Sequence, residues 1–249
     1  MLLKRFAQFF LIYGLGIAGL MTVKYAADLS DYVIPSLGEL LDMVCREGIR
    51  YLGDVMNTLG VAVAGQAISV FLALSVGITG CRAGWFGSFV RVAAYNIQAY
   101  PIVALAPIIF ILLGDGFLTR LVIAAMICYF PLLLTTIGIL TAPVTEMEHF
   151  YRVTGRMTRI LEARIRAFEN LSKLTAVLSG SATLAVAGAI VAEFIAAQSG
   201  IGYSIRVALY QSSMARVLTA LFYIGVVLSI YQGLLEWAGE KTRRRWSDL

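Results

Sequence analysis

Apolar residues in this chain come in long blocks. Six of them, at about 6–23, 55–80, 88–113, 117–140, 174–197 and 217–238, carry very few charges. A run of about 18 or more such residues is long enough to cross the hydrocarbon core of a bilayer as a helix. The pattern predicts an all-α polytopic membrane protein of about six transmembrane helices, built as one domain over residues 1–249. Two polar stretches interrupt it, one over 24–54 and one over 142–173.

Composition agrees. Of the 249 residues, 59% are hydrophobic and 14% charged, against roughly 25% charged in soluble chains. Lys4 and Arg5 precede the first block as they would in a signal peptide, but the block exceeds an h-region and further spans follow, so it reads as a first, uncleaved helix. The net charge of +5 does not point to nucleic acid, because its distribution follows a topology. With the N-terminus inside, fourteen of the 20 Lys and Arg fall in inside segments, among them Lys4, Arg82, Arg152, Arg164, Arg244 and Arg245. Lys24, Arg46, Arg50, Arg120, Arg206 and Arg216 fall outside. That asymmetry predicts a multi-pass protein with both termini cytoplasmic, residues 24–54 external and 142–173 cytoplasmic. The basic tail Lys241 to Trp246 fixes this topology and touches anionic headgroups.

The external stretch holds Leu37, Leu40, Leu41, Val44 and Ile49 at helical spacing after Pro35. It reads best as a surface helix on the outer interface, with packing against the spans as the alternative. The third block places Asn96 and Gln98 beside Pro101 and Pro107. Prolines interrupt a helical ladder and are accommodated where protein or a cavity satisfies the freed groups. Asn96, Gln98 and Pro101 are therefore pathway candidates, although two amides bonding a neighbouring helix would read the same. In the fifth block Ser181, Ala185 and Ala189, and Gly188 and Ala192, stand four apart, a face cut for close helix packing. It is followed by Glu193 and then by Gly200 and Gly202, where the chain can turn back. Glu193, Gly200 and Gly202 are gate candidates, with Glu193 held by backbone or by a base such as Arg206; an interfacial glutamate held by water is the plainer reading.

Several chemistries are missing. There is no GxxxxGK[ST] phosphate loop, no GxSxG and no HExxH, and His149 is the sole histidine. Cys45, Cys81 and Cys128 are scattered and read as small buried residues. No metal site, no catalytic residue and no cofactor is expected in this chain. Few ionisable groups lie within the spans, unlike a proton-coupled carrier.

The cytoplasmic stretch sets Phe150, Val153, Met157, Ile160, Leu161, Ile165 and Phe168 at helical spacing, with Arg152, Arg156, Arg159 and Arg166 over much of the remainder. Gly155 interrupts it and marks a turn between two short helices. A basic, amphipathic helix–turn–helix suits insertion into a partner's cleft, or equally a place on anionic lipid.

These residues resemble the membrane permeases of ABC importers, in particular the nitrate, sulfonate and taurine branch. That family's cytoplasmic signature is Glu-Ala-Ala, three residues, Gly, nine residues, then Ile-x-Leu-Pro. Gly155 and Ile165 fit it, while His149-Phe150-Tyr151 and Ala167-Phe168 depart from it. Val191-Ala192-Glu193-Phe194 and Ser199-Gly200-Ile201-Gly202-Tyr203 are similar to the branch, as are Pro35-Ser36, Thr58-Leu59, Pro101 to Pro107 and Phe130-Pro131, in order. The resemblance runs from about residue 34 onward.

It implies a non-catalytic transport subunit of the plasma (inner) membrane with a second permease subunit, identical or not. Separate ABC ATPase subunits would bind ATP-Mg, and an external binding protein would deliver solute. The coupling loop would comprise Glu146, His149, Arg152, Gly155, Arg156, Arg159 and Ile165. Solutes of the branch include nitrate, bicarbonate, alkanesulfonates, taurine and pyrimidine vitamin precursors. The residues also allow a membrane anchor that recruits a soluble partner through the basic loop. Interrupted spans favour transport, since an anchor needs none.

Overall fold

The computed structural model describes residues 2–80, 84–98, 102–142, 146–155 and 158–247, with backbone alone at a few helical positions. Among the described residues there are ten helices and no strand. They are α1 (Leu2–Ala26), α2 (Leu37–Gly80), α3 (Trp85–Gln98), α4 (Ile102–Leu113), α5 (Phe117–Leu140), α6 (Glu146–Val153), α7 (Arg159–Glu169), α8 (Leu171–Ile195), α9 (Ile201–Tyr210) and α10 (Met214–Ser247). Five of these, α1, α2, α5, α8 and α10, are long and apolar enough to cross a membrane. The protein is an all-α polytopic membrane protein.

Two elements differ from the sequence pattern. The external stretch forms no separate surface helix: it is the first part of α2, which runs unbroken for 44 residues. At 1.5 Å per residue that is about 66 Å, twice a hydrocarbon core of about 30 Å. The reason lies in its neighbours. Tyr51 and Val55 pack on Ile201, Ile205 and Ala220 of α9 and α10 and carry the helix on past the external stretch, whereas Leu37, Leu41 and Ile49 of the predicted apolar face stay exposed. The third predicted span is two helices, α3 and α4, each shorter than a full crossing. Pro101 lies outside the described residues, whereas Pro107 and Pro131 sit inside α4 and α5 without ending them.

α2, α5 and α8 form the centre. A Cβ on Gly188 would lie 2.9 Å from the Ala124 backbone, and one on Gly65 would lie 3.1 Å from Ala124 Cβ. Only small residues permit such approach. Ser181, Ala185, Gly188, Ala189 and Ala192 are all buried here, as their spacing predicts. Polar cross-links hold the same seam. The Gln66 amide donates to Leu178 O (2.7 Å) and Ser181 Oγ (2.8 Å) and accepts from the Tyr231 hydroxyl (2.5 Å). Ser69 Oγ donates to Ala125 O at 2.7 Å. α1 stands to one side against α10, through Tyr13 and Phe222 (5.0 Å between ring centres) and a Tyr13 hydroxyl bond to Leu218 O. Cys128 is buried, but Cys45 is exposed on the projecting part of α2; Cys81 falls outside the described residues.

Candidate functional site

Two places collect the residues singled out by sequence. The first is the helical hairpin α6–α7. Gly155 lies between the helices with φ of +67°, the left-handed region open to glycine. Thr158 then starts α7, its hydroxyl accepting from the Leu161 N–H at 3.2 Å. Ile165 is buried, while Glu146, His149, Phe150 and Val153 are exposed. Arg156 and the side chains of Arg152 and Arg159 lie outside the described residues. Arg166 departs from the basic face that the sequence predicts. Its Nη1 donates to Ile139 O, Leu140 O and Ala142 O at 3.4, 2.9 and 3.3 Å, tying α7 to the last carbonyls of α5 and to the residues just after it.

The second place is the break between α8 and α9. Glu193, in the last turns of α8, is completely buried. Its Oε2 accepts from Thr58 Oγ1 at 2.7 Å and from the Gly202 N–H at 3.0 Å. Its Oε1 lies 3.5 Å from Arg120 Nη1. Thr58 Oγ1 in turn accepts from the Ile201 N–H at 3.0 Å. The hydroxyl has one proton, and the short contact to the carboxylate takes it in preference to Asp54 O at 3.1 Å.

This arrangement is a borrowed helix cap. α9 begins at Gly200, which has no side chain to cap it, so its first N–H groups are left without a local acceptor. Thr58 and Glu193 supply the oxygens, and the carboxylate sits where the helix dipole favours negative charge. Arg206, on the second turn of α9, reaches the other way. It donates to Phe194 O (3.2 Å), Ile195 O (2.9 Å) and Ala197 O (2.7 Å), the loose carbonyls at the end of α8. The acid of α8 caps α9, and the base of α9 caps α8.

The glycines are required by this packing. A Cβ on Gly200, whose φ is +93°, would fall 2.2 Å from the Glu193 carboxyl carbon; one on Gly202 would fall 2.4 Å from Ile190 O. Glu193, Gly200 and Gly202 are thus brought together. Arg206 is not brought to the carboxylate; the base there is Arg120, from the first turn of α5. Its position four residues past the Gly114–Gly116 turn is the only sequence signal that would have found it. Thr58 carried no signal beyond its place in the resemblance. Asn96 is exposed on α3, away from this cluster, and Gln98 closes α3 with its side chain outside the described residues.

No protein-family model matches the chain. It is 31% identical over 142 residues to the riboflavin transport system permease protein RibX of Chloroflexus aurantiacus, covering 56% of this chain and 53% of that protein. It is 27% identical over 180 residues to the formylaminopyrimidine transport permease protein ThiX of Halalkalibacterium halodurans, covering 70% of each. The chain thus matches about half the length of the first relative and 70% of the second. The likeness to transport permeases carried by its residues is met by both of these permease proteins.

Proposed function

We propose that this chain is the membrane permease subunit of an ATP-driven ABC importer, forming part of the pathway for a small solute. One observation carries the reading. The backbone is interrupted at residues 196–200, beside a fully buried carboxylate, and every named contact there serves to hold the interruption. A break whose freed backbone groups are satisfied by other helices marks transport folds more than inert anchors. The named permease relatives support the same reading.

In this reading the protein lies in the plasma membrane with both termini cytoplasmic. The α6–Gly155–α7 hairpin docks an ATPase subunit, where ATP-Mg binds, and this chain holds no cofactor of its own. A second permease subunit, identical or not, completes the pathway, and an external binding protein delivers solute. The solute class we infer is a small planar-ring compound, pyrimidine- or flavin-like, because both relatives are named for such rings. Of the solutes that the resemblance implies, pyrimidine vitamin precursors fit this class, and nitrate and taurine do not.

The test is uptake. The chain is co-expressed with whatever ATPase and binding-protein genes are encoded beside its own, and labelled riboflavin and formylaminopyrimidine are supplied. ATP-dependent accumulation of either, lost when the chain is omitted, is the expected result. An ATPase that neither co-purifies with the chain nor responds to it would overturn the reading.

A further inference from the structure

Where α8 gives way to α9, an open cavity of about 740 Å³ lies on the side away from α2. Phe194, Ile195, Tyr203, Arg206, Val207 and Tyr210 are among its walls. The opposite face of α9, Ile201, Ser204, Ile205 and Ala208, is buried, so the cavity side is the one α9 leaves open. This volume lies within the usual range for small-molecule sites.

Its polar wall is held in place before any ligand arrives. Three carbonyls fix the Arg206 guanidinium, and the same group lies over the Tyr203 ring, 5.3 Å from its centre. A guanidinium has five N–H groups, so donors remain for a further acceptor. Tyr210 is 84% exposed and Phe194 40% exposed beside it. A fixed cation with spare donors, flanked by three aromatic rings, suits a flat ring with carbonyl or ring-nitrogen acceptors on its edge. It does not suit a small, strongly hydrated anion, because the aromatic walls offer nothing to replace water.

We propose that this pocket is a binding site for the transported solute and that it takes a planar heteroaromatic ring, stacked among Tyr203, Tyr210 and Phe194 with its polar edge toward Arg206. The proposal rests on the permease reading above and adds the place of contact. Phe194 and Tyr203 directly follow Glu193 and Gly202 in sequence, so an occupant would lie against the segment that joins α8 to α9.

The probe is riboflavin, whose fluorescence falls on stacking against tyrosine, titrated into the full chain in lipid nanodiscs. Saturable quenching is expected, with competition by formylaminopyrimidine and none by taurine. Tyr210→Ala and Tyr203→Leu should each weaken it roughly tenfold, the scale of one ring stack, and Tyr203→Phe should hold it within about threefold. Tyr210 is exposed enough that its truncation leaves the fold intact, which matching elution profiles would check. Absence of saturable quenching, as for rings that merely anchor the chain at a lipid interface, would overturn the proposal. So would quenching unchanged in the Tyr203→Leu/Tyr210→Ala pair. Ring-solute uptake persisting at the normal rate in that pair would remove the pocket and leave the permease reading standing; uptake of taurine alone would remove the ring-solute class as well.

Discussion

Thr58 and Glu193, 135 residues apart in the chain, meet in the interior with 2.7 Å between hydroxyl and carboxylate oxygens. The same hydroxyl accepts from Ile201 N–H, so a single threonine on α2 joins the end of α8 to the start of α9. Thr58→Val keeps the shape and removes both bonds. Leaving a buried acceptor and a buried donor short of a partner costs about 1–3 kcal/mol each. A clear drop in the thermal midpoint of the detergent-purified protein is expected for Thr58→Val, and a smaller one for Thr58→Ser. Equal midpoints for wild type and Thr58→Val would mean that this bond contributes nothing.

Gly200 and Gly202 make a sharper case, because no side chain fits at either. Gly200→Ala must occupy a left-handed backbone and displace the carboxylate; Gly202→Ala must displace Ile190 O. Overpacking of this kind costs about 1–3 kcal/mol, and the strained φ adds to it at Gly200. Both variants should lose folded yield, whereas Gly180→Ala on the open side of α8 should not, since a Cβ there meets nothing. Yields measured by fluorescence-detected size exclusion separate the two outcomes.

Five spans could be read from the sequence because a long apolar block is a local feature, and the close-packed face of α8 because its small residues recur at helical spacing. Gly155 and the Gly200–Gly202 turn were legible for the same reason, since a glycine inside a helical pattern marks its own interruption. The partner of Glu193 was not. Arg206 is near in sequence and Arg120 is not, yet α9 turns Arg206 toward carbonyls while α5 brings Arg120 to the carboxylate. Long-range choice among similar bases depends on helix packing that one sequence does not display. The continuity of α2 was hidden similarly: Tyr51 and Val55 meet Ile201, Ile205 and Ala220 only once the chain has folded, and nothing local in the sequence displays that contact.

The hairpin predicts a separation of assembly from coupling. Gly155→Pro cannot adopt the positive φ of +67° found there, and Arg166→Ala releases α7 from two α5 carbonyls and from Ala142 O just beyond them. Neither position lies in the packed centre, so insertion and yield should hold while ATPase co-purification and solute uptake fall. Gly155→Asn, which tolerates a left-handed backbone, should retain most of both. Wild-type co-purification with undiminished uptake in Gly155→Pro would count against a docking role.

Topology is predicted by the charge distribution and can be read with reporter fusions. Junctions after Arg46 and Arg206 should report outside, and those after Arg164 and Arg244 inside. An inside signal at Arg206 would put the α8–α9 break on the opposite side of the membrane from the one argued, and an outside signal at Arg164 would remove the hairpin from any cytoplasmic partner.

The last prediction concerns Arg120 and Glu193 as a pair. Their charges approach to 3.5 Å, with Glu193 fully buried and the Arg120 side chain 11% exposed. Arg120 Nε has no hydrogen-bond partner among the described residues, so this cation leans on the carboxylate. Removing one member of a buried pair strands the other and costs about 3–5 kcal/mol, whereas replacing both with neutral groups of similar size is often tolerated. Arg120→Met alone and Glu193→Gln alone should therefore each destabilise the protein, Glu193→Gln less because it can still accept from Thr58 and Gly202. The double variant should be more stable than the sum of the two losses allows, with a coupling of about 0.5–3 kcal/mol, the range for residues in direct contact. Stability alone would make the pair structural. A gate adds a second expectation: the double variant regains its midpoint but not its uptake, because a neutral pair cannot reproduce the charge contact that opens and closes. If uptake returns with stability, Arg120 and Glu193 hold the fold and do not gate it. If the midpoints of the single variants simply add, the 3.5 Å contact carries no coupling.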